Sequence, residues 1–206
     1  MSRPQSLASR LTFGTEELKD LLLAWVALGV AFTFFYERVT ATSIAAFVGS
    51  QAFLVALAAS LLTAGIGFLL HELAHKVVAV HYGQIAAFRA DYGMLALAVL
   101  GGLAGFLFAA PGAVVHRGRL TERQNGLIAL AGPVTNLVLA VIFAPLAVLG
   151  IDLAWRGLSI NLLLAGFNML PVGPLDGKSV LSWSKLVYVL VAAPSVLLAA
   201  AALLYV

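Results

Sequence analysis

Six apolar runs separated by short polar connections form the hydrophobic pattern of the chain. The runs cover residues 21–36, 53–81, 94–110, 126–149, 158–170 and 185–206. A helix of about 20 apolar residues crosses a bilayer, so five runs predict spanning helices and the Gly-rich third run is left open. Glu37 and Arg38 stand where a cleaved signal peptide needs small residues, so the first run predicts a retained helix. The pattern predicts an all-α polytopic membrane protein with about five to six transmembrane helices.

The composition supports this fold class and excludes other classes. Of the 206 residues, 62% are hydrophobic and only 10% are charged, whereas soluble domains carry about 25% charged residues. A soluble enzyme, a nucleic-acid-binding domain and a disordered protein are therefore excluded. The absence of cysteine excludes disulfides, iron–sulfur clusters and thiol catalysis. We expect one membrane-embedded domain over residues 1–206 of a multi-pass cell-membrane protein, beginning with a polar segment at 1–20.

The basic residues indicate how the third run meets the membrane. If residues 94–110 cross it once, the 12 Lys and Arg residues divide equally between the two sides. If they do not cross, only Arg38 and Arg156 lie on the far side, and the other basic residues share the side of the N-terminus. The positive-inside rule favours this second arrangement, with a cytoplasmic N-terminus. We therefore predict that 92–115 enters the membrane and returns, as a re-entrant segment or hairpin covered by protein.

The second run contains His71-Glu72-Leu73-Ala74-His75, which matches the pattern H-E-x-x-H. Residues i and i+4 of a helix share one face, so both imidazoles can reach the same metal ion. Glu72 is rotated by about 100° from His71 and can face the same cavity as a general base. Ionisable residues at membrane depth are costly and indicate a functional site. The alternative is a polar patch that packs against a neighbouring helix.

A hydrolytic zinc site needs a third protein ligand and an open position. His81 and His116 are poor candidates, because the first lies near the helix end and the second in a predicted interfacial loop. Asp91 precedes the third run, and its position alone does not dismiss it. Asp176 stands out, because the sequence around it predicts a break in the helical structure. A solvated loop is the alternative interpretation for Asp176.

The break around Asp176 is predicted by Pro171 and Pro174, which prevent a regular helix. Such a break inside a membrane protein implies a cavity or an extended stretch, and Gly177 is expected to let the chain turn there. In the topology favoured by the basic residues, the fourth run leads outward and the fifth returns. Asp176 then lies on the same cytoplasmic side as His75. With a single crossing by the third run, the two would lie on opposite sides.

Three motifs together resemble the site-2 protease family of intramembrane zinc metalloproteases (peptidase family M50). They are HELAH at 71–75, AGPVTN at 131–136 and NMLPVGPLDG at 168–177, within a catalytic core at about 53–182. The resemblance implies one zinc ion per chain, held by His71, His75 and Asp176, with Glu72 as the catalytic base. It implies a minimal form, because no PDZ domain is inserted in this core.

The second and third motifs each contain an asparagine with an implied role. Asn136 is expected near the substrate carbonyl or the developing oxyanion. For Asn168, a role near the substrate and a structural role at the helix break are both open. Gly132 and Pro133 of the second motif are interpreted as packing and kink residues.

The resemblance implies hydrolysis of peptide bonds in or near the transmembrane segment of a membrane-protein substrate. The expected partners are this substrate and the lipid bilayer, and the sequence specifies no oligomeric state. A membrane zinc transporter or channel is the alternative function, because transporters also place ionisable groups and broken helices at membrane depth. The absence of an internal repeat and the glutamate beside the first histidine favour the protease. A third interpretation is a pseudo-enzyme that only binds membrane segments, but all the expected ligands and the base are present, which argues against it.

Overall fold

The computed structural model describes residues 7–107 and 111–204. Arg3 of the charge analysis, the last three residues of the third run and residues 205–206 of the sixth run lie outside the described residues. Of the described residues, 74% are helical, which agrees with the predicted helical class. In chain order the elements are α1 Leu7–Arg10, α2 Thr15–Tyr36, α3 Ile44–Val48, α4 Gln51–Ser60, a π-helical segment Leu61–Gly65, α5 Ile66–His81, β1 Ile85–Ala90, α6 Tyr92–Leu103, β2 Gly112–Arg117, α7 Glu122–Val148, α8 Asp152–Asn168, α9 Asp176–Trp183 and α10 Lys185–Leu203.

Within the described ranges, four helical stretches are long and apolar enough to span a membrane. They are Thr15–Tyr36, Gln51–His81, Glu122–Val148 and Lys185–Leu203. They correspond to the first, second, fourth and sixth predicted runs, while the fifth run forms the 17-residue α8. Large apolar side chains such as Val141 and Leu197 are about 70% exposed on these helices, as a lipid-facing surface requires. The four helices indicate a membrane protein.

A small sheet corrects the all-α prediction. Strand β1 pairs antiparallel with β2, and Ala90 lies opposite Gly112. The hydrophobic pattern missed both strands, because the partner of each lies beyond a whole helix of intervening sequence. The chain between Ala90 and Gly112 therefore begins and ends at the same place. Its helix α6 packs tightly on α2, where a side chain on Gly102 would overlap the backbone of Ala31.

The predicted break in the helical structure lies between α8 and α9. Helix α8 ends at Asn168, and α9 begins at Asp176. Gly177 differs from its expected role, because it lies inside α9 and not in a turn. A Cβ atom there would overlap the carbonyl oxygen of Met169. Glycine is therefore required at this position for the close approach of α9 to the end of α8.

A buried ion pair joins α2 to α5 beneath the sheet. The Lys76 ammonium donates to both carboxylate oxygens of Glu17 at 2.6 Å and to the carbonyl oxygen of Thr12. Both side chains are at most 3% exposed. Glu17 also accepts from the backbone N–H of Phe88 in β1 at 3.1 Å. The pair therefore fixes the sheet and the first long helix against α5.

We expect Lys76→Met to lower the free energy of unfolding by about 3–5 kcal/mol, because it leaves the Glu17 carboxylate buried without its cation. Titration of the metal-free protein with a denaturing detergent measures this loss. Arg156→Met is the control, since its ion pair with Glu37 is about 30% exposed and contributes at most about 1 kcal/mol. Equal losses in the two variants would contradict a structural role for the buried pair.

Candidate metal centre

Helix α5 places His71 and His75 one turn apart, with both side chains turned towards α7. Their Nε2 atoms lie 2.9 Å from each other. The two residues are 4% and 6% exposed. This contact follows directly from the i, i+4 spacing, because residues four apart lie on one face of a helix.

The other nitrogen of each imidazole is held by an oxygen of α7. His71 Nδ1 lies 2.6 Å from Asn136 Oδ1, and His75 Nδ1 lies 2.7 Å from the carbonyl oxygen of Ile128. Both oxygens accept, so each Nδ1 carries the proton. In the neutral rings, Nε2 is then an unprotonated acceptor. The lone pairs of two Nε2 atoms that lie 2.9 Å apart repel each other, so this arrangement needs a cation between them.

Asp176 completes the cluster from the first turn of α9. Its Oδ2 atom lies 3.3 Å from His71 Nε2 and 3.4 Å from His75 Nε2. Burial raises the pKa of the Asp176 carboxyl, whereas positive charge at His75 and His71 would lower it to about 2. Rings that are neutral and protonated on Nδ1 carry no such charge, so a bound cation would stabilise the carboxylate in their place.

The three side chains fit a divalent metal ion. One ligand atom from each of them lies within 4.8 Å of the others. Within residues 7–107 and 111–204, no hydrogen-bond donor reaches the buried Asp176 Oδ2, an arrangement that is costly unless a cation is present. Two imidazole nitrogens and one carboxylate oxygen form a common ligand set of catalytic zinc, which keeps a fourth position open.

Glu72 lies beside these ligands in a cavity of about 170 Å³. Its Oε2 atom is buried and has no hydrogen-bond partner among the residues that the structure describes. The cavity is also lined by β2, by the start of α7 and by the broken segment before α9. A carboxylate, three converging ligands and a cavity are the parts that metal-dependent hydrolysis requires.

Comparison with known proteins identifies the family. No family model matches the chain, and no solved structure matches it. The protein named "Putative zinc metalloprotease MJ0611" from Methanocaldococcus jannaschii is 40% identical over 190 residues, which cover 88% of this chain and 92% of the relative. The chain belongs to this family of zinc metalloproteases. About an eighth of the chain lies outside this match. That is fewer residues than precede His71 and fewer than follow Asp176, so the match includes the whole cluster.

Two further relatives of this metalloprotease cover less of the chain. "Putative zinc metalloprotease YwhC" from Bacillus subtilis is 34% identical over 56% of the chain and 64% of its own length. "Putative zinc metalloprotease Rip3" from Mycobacterium tuberculosis is 35% identical over 53% of the chain, but only 26% of its own length. These relatives are site-2 protease-like, and the resemblance is confirmed at that level.

The remaining predicted site residues of the metalloprotease lie at different distances from the metal cluster. Asn168 lines the cavity and donates from Nδ2 to the carbonyl oxygen of Leu164 at 3.0 Å. Asn136 is fully buried and lies against His71. Asp91 accepts from the backbone N–H of Met94 at 3.0 Å and caps α6. It therefore lies outside the metal cluster.

Two residues of interest were missed by the sequence patterns. His116 lies on strand β2 and lines the cavity, whereas its sequence position predicted an interfacial loop. Asn161 lies in α8, is fully buried and contacts Asn136. An amide near the start of an apolar run, one of two in residues 158–170, was a signal that could have indicated Asn161, because such groups are costly at membrane depth.

Gly132 supplies the space in which the two imidazoles lie. A Cβ atom at this position would overlap His75 Nε2 and the His71 ring. We expect Gly132→Ala to weaken zinc binding at least about tenfold, since displaced ligands lose their geometry. Zinc titration of the purified protein measures the change. Gly14→Ala is the control, because nothing lies within 4 Å of a Cβ there. Unchanged affinity in Gly132→Ala would contradict the observed packing of α7 against α5.

Proposed function

We propose that the chain is a zinc-dependent intramembrane endopeptidase of the site-2 protease type (peptidase family M50). In this proposal, residues 53–182 form its catalytic core, without an inserted PDZ domain. The observation that carries the proposal is the convergence of His71, His75 and Asp176 beside Glu72, inside a bundle of apolar helices. His71 and His75 lie on the 31-residue stretch Gln51–His81, which supports chemistry at membrane depth.

In the proposed topology the site faces the cytoplasm, and α8 is a fifth span after α7. Only three residues, 149–151, join these two helices, so the chain returns at once to the side of α5. The pairing of Ala90 with Gly112 supports a re-entrant path for 92–115, since both ends of this path meet. The contact between Asp176 and His75 also supports this path, because both ligands need to lie on the same side of the membrane.

The substrate segment is proposed to unwind and lie along the free edge of β2. Backbone N–H groups of Phe88 and Ala90 bond to Glu17 and Asp20, so they point away from β2. Val114 lies opposite Phe88, and His116 lies opposite Ala86. Hydrogen-bonded and non-hydrogen-bonded pairs alternate along an antiparallel ladder, so the N–H and C=O groups of Val114 and His116 also point away from β1. Both residues line the cavity. An extended peptide could add to this edge by main-chain hydrogen bonds.

In the proposed mechanism, Glu72 accepts a proton from the attacking water and passes it to the leaving amine. None of the described residues forms a hydrogen bond with its buried Oε2 atom that would compete for this proton. When bound, zinc polarises the scissile carbonyl and lowers the pKa of a water molecule to about 7. The small cavity limits the water that reaches the substrate to a few molecules.

The test is a cleavage assay with the full chain in proteoliposomes. Single-span membrane proteins tagged at both ends serve as candidate substrates, with and without a zinc chelator. We expect chelator-sensitive fragments whose new termini, read by mass spectrometry, lie within or at the edge of the apolar segment. Cleavage confined to soluble flanks would contradict intramembrane action. Zinc flux into the vesicles without cleavage would support the transporter alternative.

A further inference from the structure

A chain of hydrogen bonds extends from the candidate metal site into α8. His71 Nδ1 lies 2.6 Å from Asn136 Oδ1, and Asn136 Nδ2 donates to Asn161 Oδ1 at 2.9 Å. Asn136 and Asn161 are both fully buried. Water therefore cannot replace either amide, and each group depends on its neighbour in the chain.

Backbone carbonyl groups determine the direction of every bond in this chain. Asn161 Nδ2 donates to the carbonyl oxygen of Gly157 at 2.8 Å, so Oδ1 of Asn161 faces Asn136 as an acceptor. Asn136 Nδ2 donates to this Oδ1 and to the carbonyl oxygen of Gly67 at 3.2 Å. Its Oδ1 is then directed at His71, where it can only accept. His71 therefore holds its proton on Nδ1 and presents an unprotonated Nε2.

The two histidines are oriented by different kinds of group. His75 is held by the backbone carbonyl of Ile128, which no substitution removes. His71 is held by a side-chain amide that could rotate by 180° and present its N–H₂ group instead. Asn161 Oδ1 and the carbonyl oxygen of Gly67 both oppose that rotation, because each accepts from Asn136 Nδ2, and the bond to Asn161 is the shorter of the two. Gly67 leaves room for this contact, since a Cβ there would lie 2.8 Å from Asn161 Oδ1.

We propose that Asn161 is a positioning residue for zinc, acting through Asn136 to hold His71 in its metal-binding tautomer and orientation. The proposal rests on the proposed zinc function and assigns Asn136 to the support of His71. Groups that orient a ligating histidine change metal affinity by about 10–100-fold when they are removed. Asn161 is not among the described residues that line the cavity, and its hydrogen bond to Asn136 connects it to His71.

The experiment measures zinc affinity of the full detergent-purified chain by competition with a chelator. We expect Asn161→Leu to weaken zinc binding about 10–100-fold and to shift the visible absorption bands of the cobalt-loaded protein. Asn161→Asp is expected to restore both, because a neutral carboxylic acid accepts from Asn136 and donates to Gly157. Thr33→Val is the control, since among the described residues this buried hydroxyl bonds to the carbonyl oxygen of Gly29 in its own helix and to no other group.

The outcomes separate this inference from the proposed function. Absence of zinc binding by the wild type would remove the proposed function itself. Zinc bound normally by the wild type and equally well by Asn161→Leu and Thr33→Val would overturn only the inference. A measurement that needs no variant is the nitrogen NMR spectrum of His71 in the metal-free protein. A His71 Nδ1 that carries no proton in that spectrum would also overturn the inference, whereas a proton on Nδ1 is expected.

Discussion

Replacement of Glu72 by Gln is expected to lower the rate of peptide-bond cleavage by about 10²–10⁴-fold, with zinc still bound. The amide has the size of the carboxylate but cannot accept a proton. Glu72 is not one of the three converging ligands, so the metal site should keep its donors. The readouts are the cleavage rate in proteoliposomes and zinc per chain, measured on the same preparation.

The control for this variant is Glu16→Gln, which removes a carboxylate from the exposed face at the start of α2. We expect cleavage by this control to match the wild type. Cleavage retained by Glu72→Gln would exclude the proposed role of Glu72 as the base. Cleavage lost together with zinc would instead assign Glu72 to the metal site.

Replacement of Asp176 by Ala is expected to weaken zinc binding by at least about 100-fold. Four ligands together supply about 10–16 kcal/mol in small zinc sites, so one of them accounts for about 3 kcal/mol or more. Asp176 Oδ2 faces both Nε2 atoms at 3.3–3.4 Å, and the described residues bring no other carboxylate oxygen into the cluster. Chelator competition measures the affinity, and zinc per chain after dialysis provides a second readout.

Asp91→Ala is the matched control, because sequence position alone left Asp91 open as the third ligand. In the structure this carboxylate caps α6, so its removal should cost about 1 kcal/mol of stability and leave zinc in place. Zinc retained by Asp176→Ala but lost from Asp91→Ala would reverse the assignment. It would also remove the support that the contact between Asp176 and His75 gives to the proposed topology.

Two features of this metalloprotease could be read from the chain because their geometry is local. The contact of His71 with His75 follows from helical spacing, and the helix break before Asp176 follows from the fixed φ of Pro171 and Pro174. The long apolar runs likewise predicted the four helices that can span a membrane. Each of these features depends on residues within a few turns of one another.

The arrangement of distant residues could not be read in the same way. Strands β1 and β2 form only because the chain brings Ala90 back to Gly112. His116 lines the cavity because it lies on that second strand. The contacts of Asn136 with His71 and Asn161 join residues of three different helices, and no motif predicted them. Sequence motifs state which residue types are present, whereas the direction of an amide depends on its packed neighbours.

The sequence alone determined the helical membrane class, the pair of histidines with the glutamate between them, and the broken segment that carries Asp176. These follow from hydrophobic periodicity and backbone sterics, which act over short stretches of chain. Only the tertiary structure decided that Asp176 meets both histidines and that Gly132 leaves room for their rings. It also decided that a buried amide pair supports His71. Contacts between α5, α7, α8 and α9 depend on how whole helices pack, and no local pattern specifies that packing.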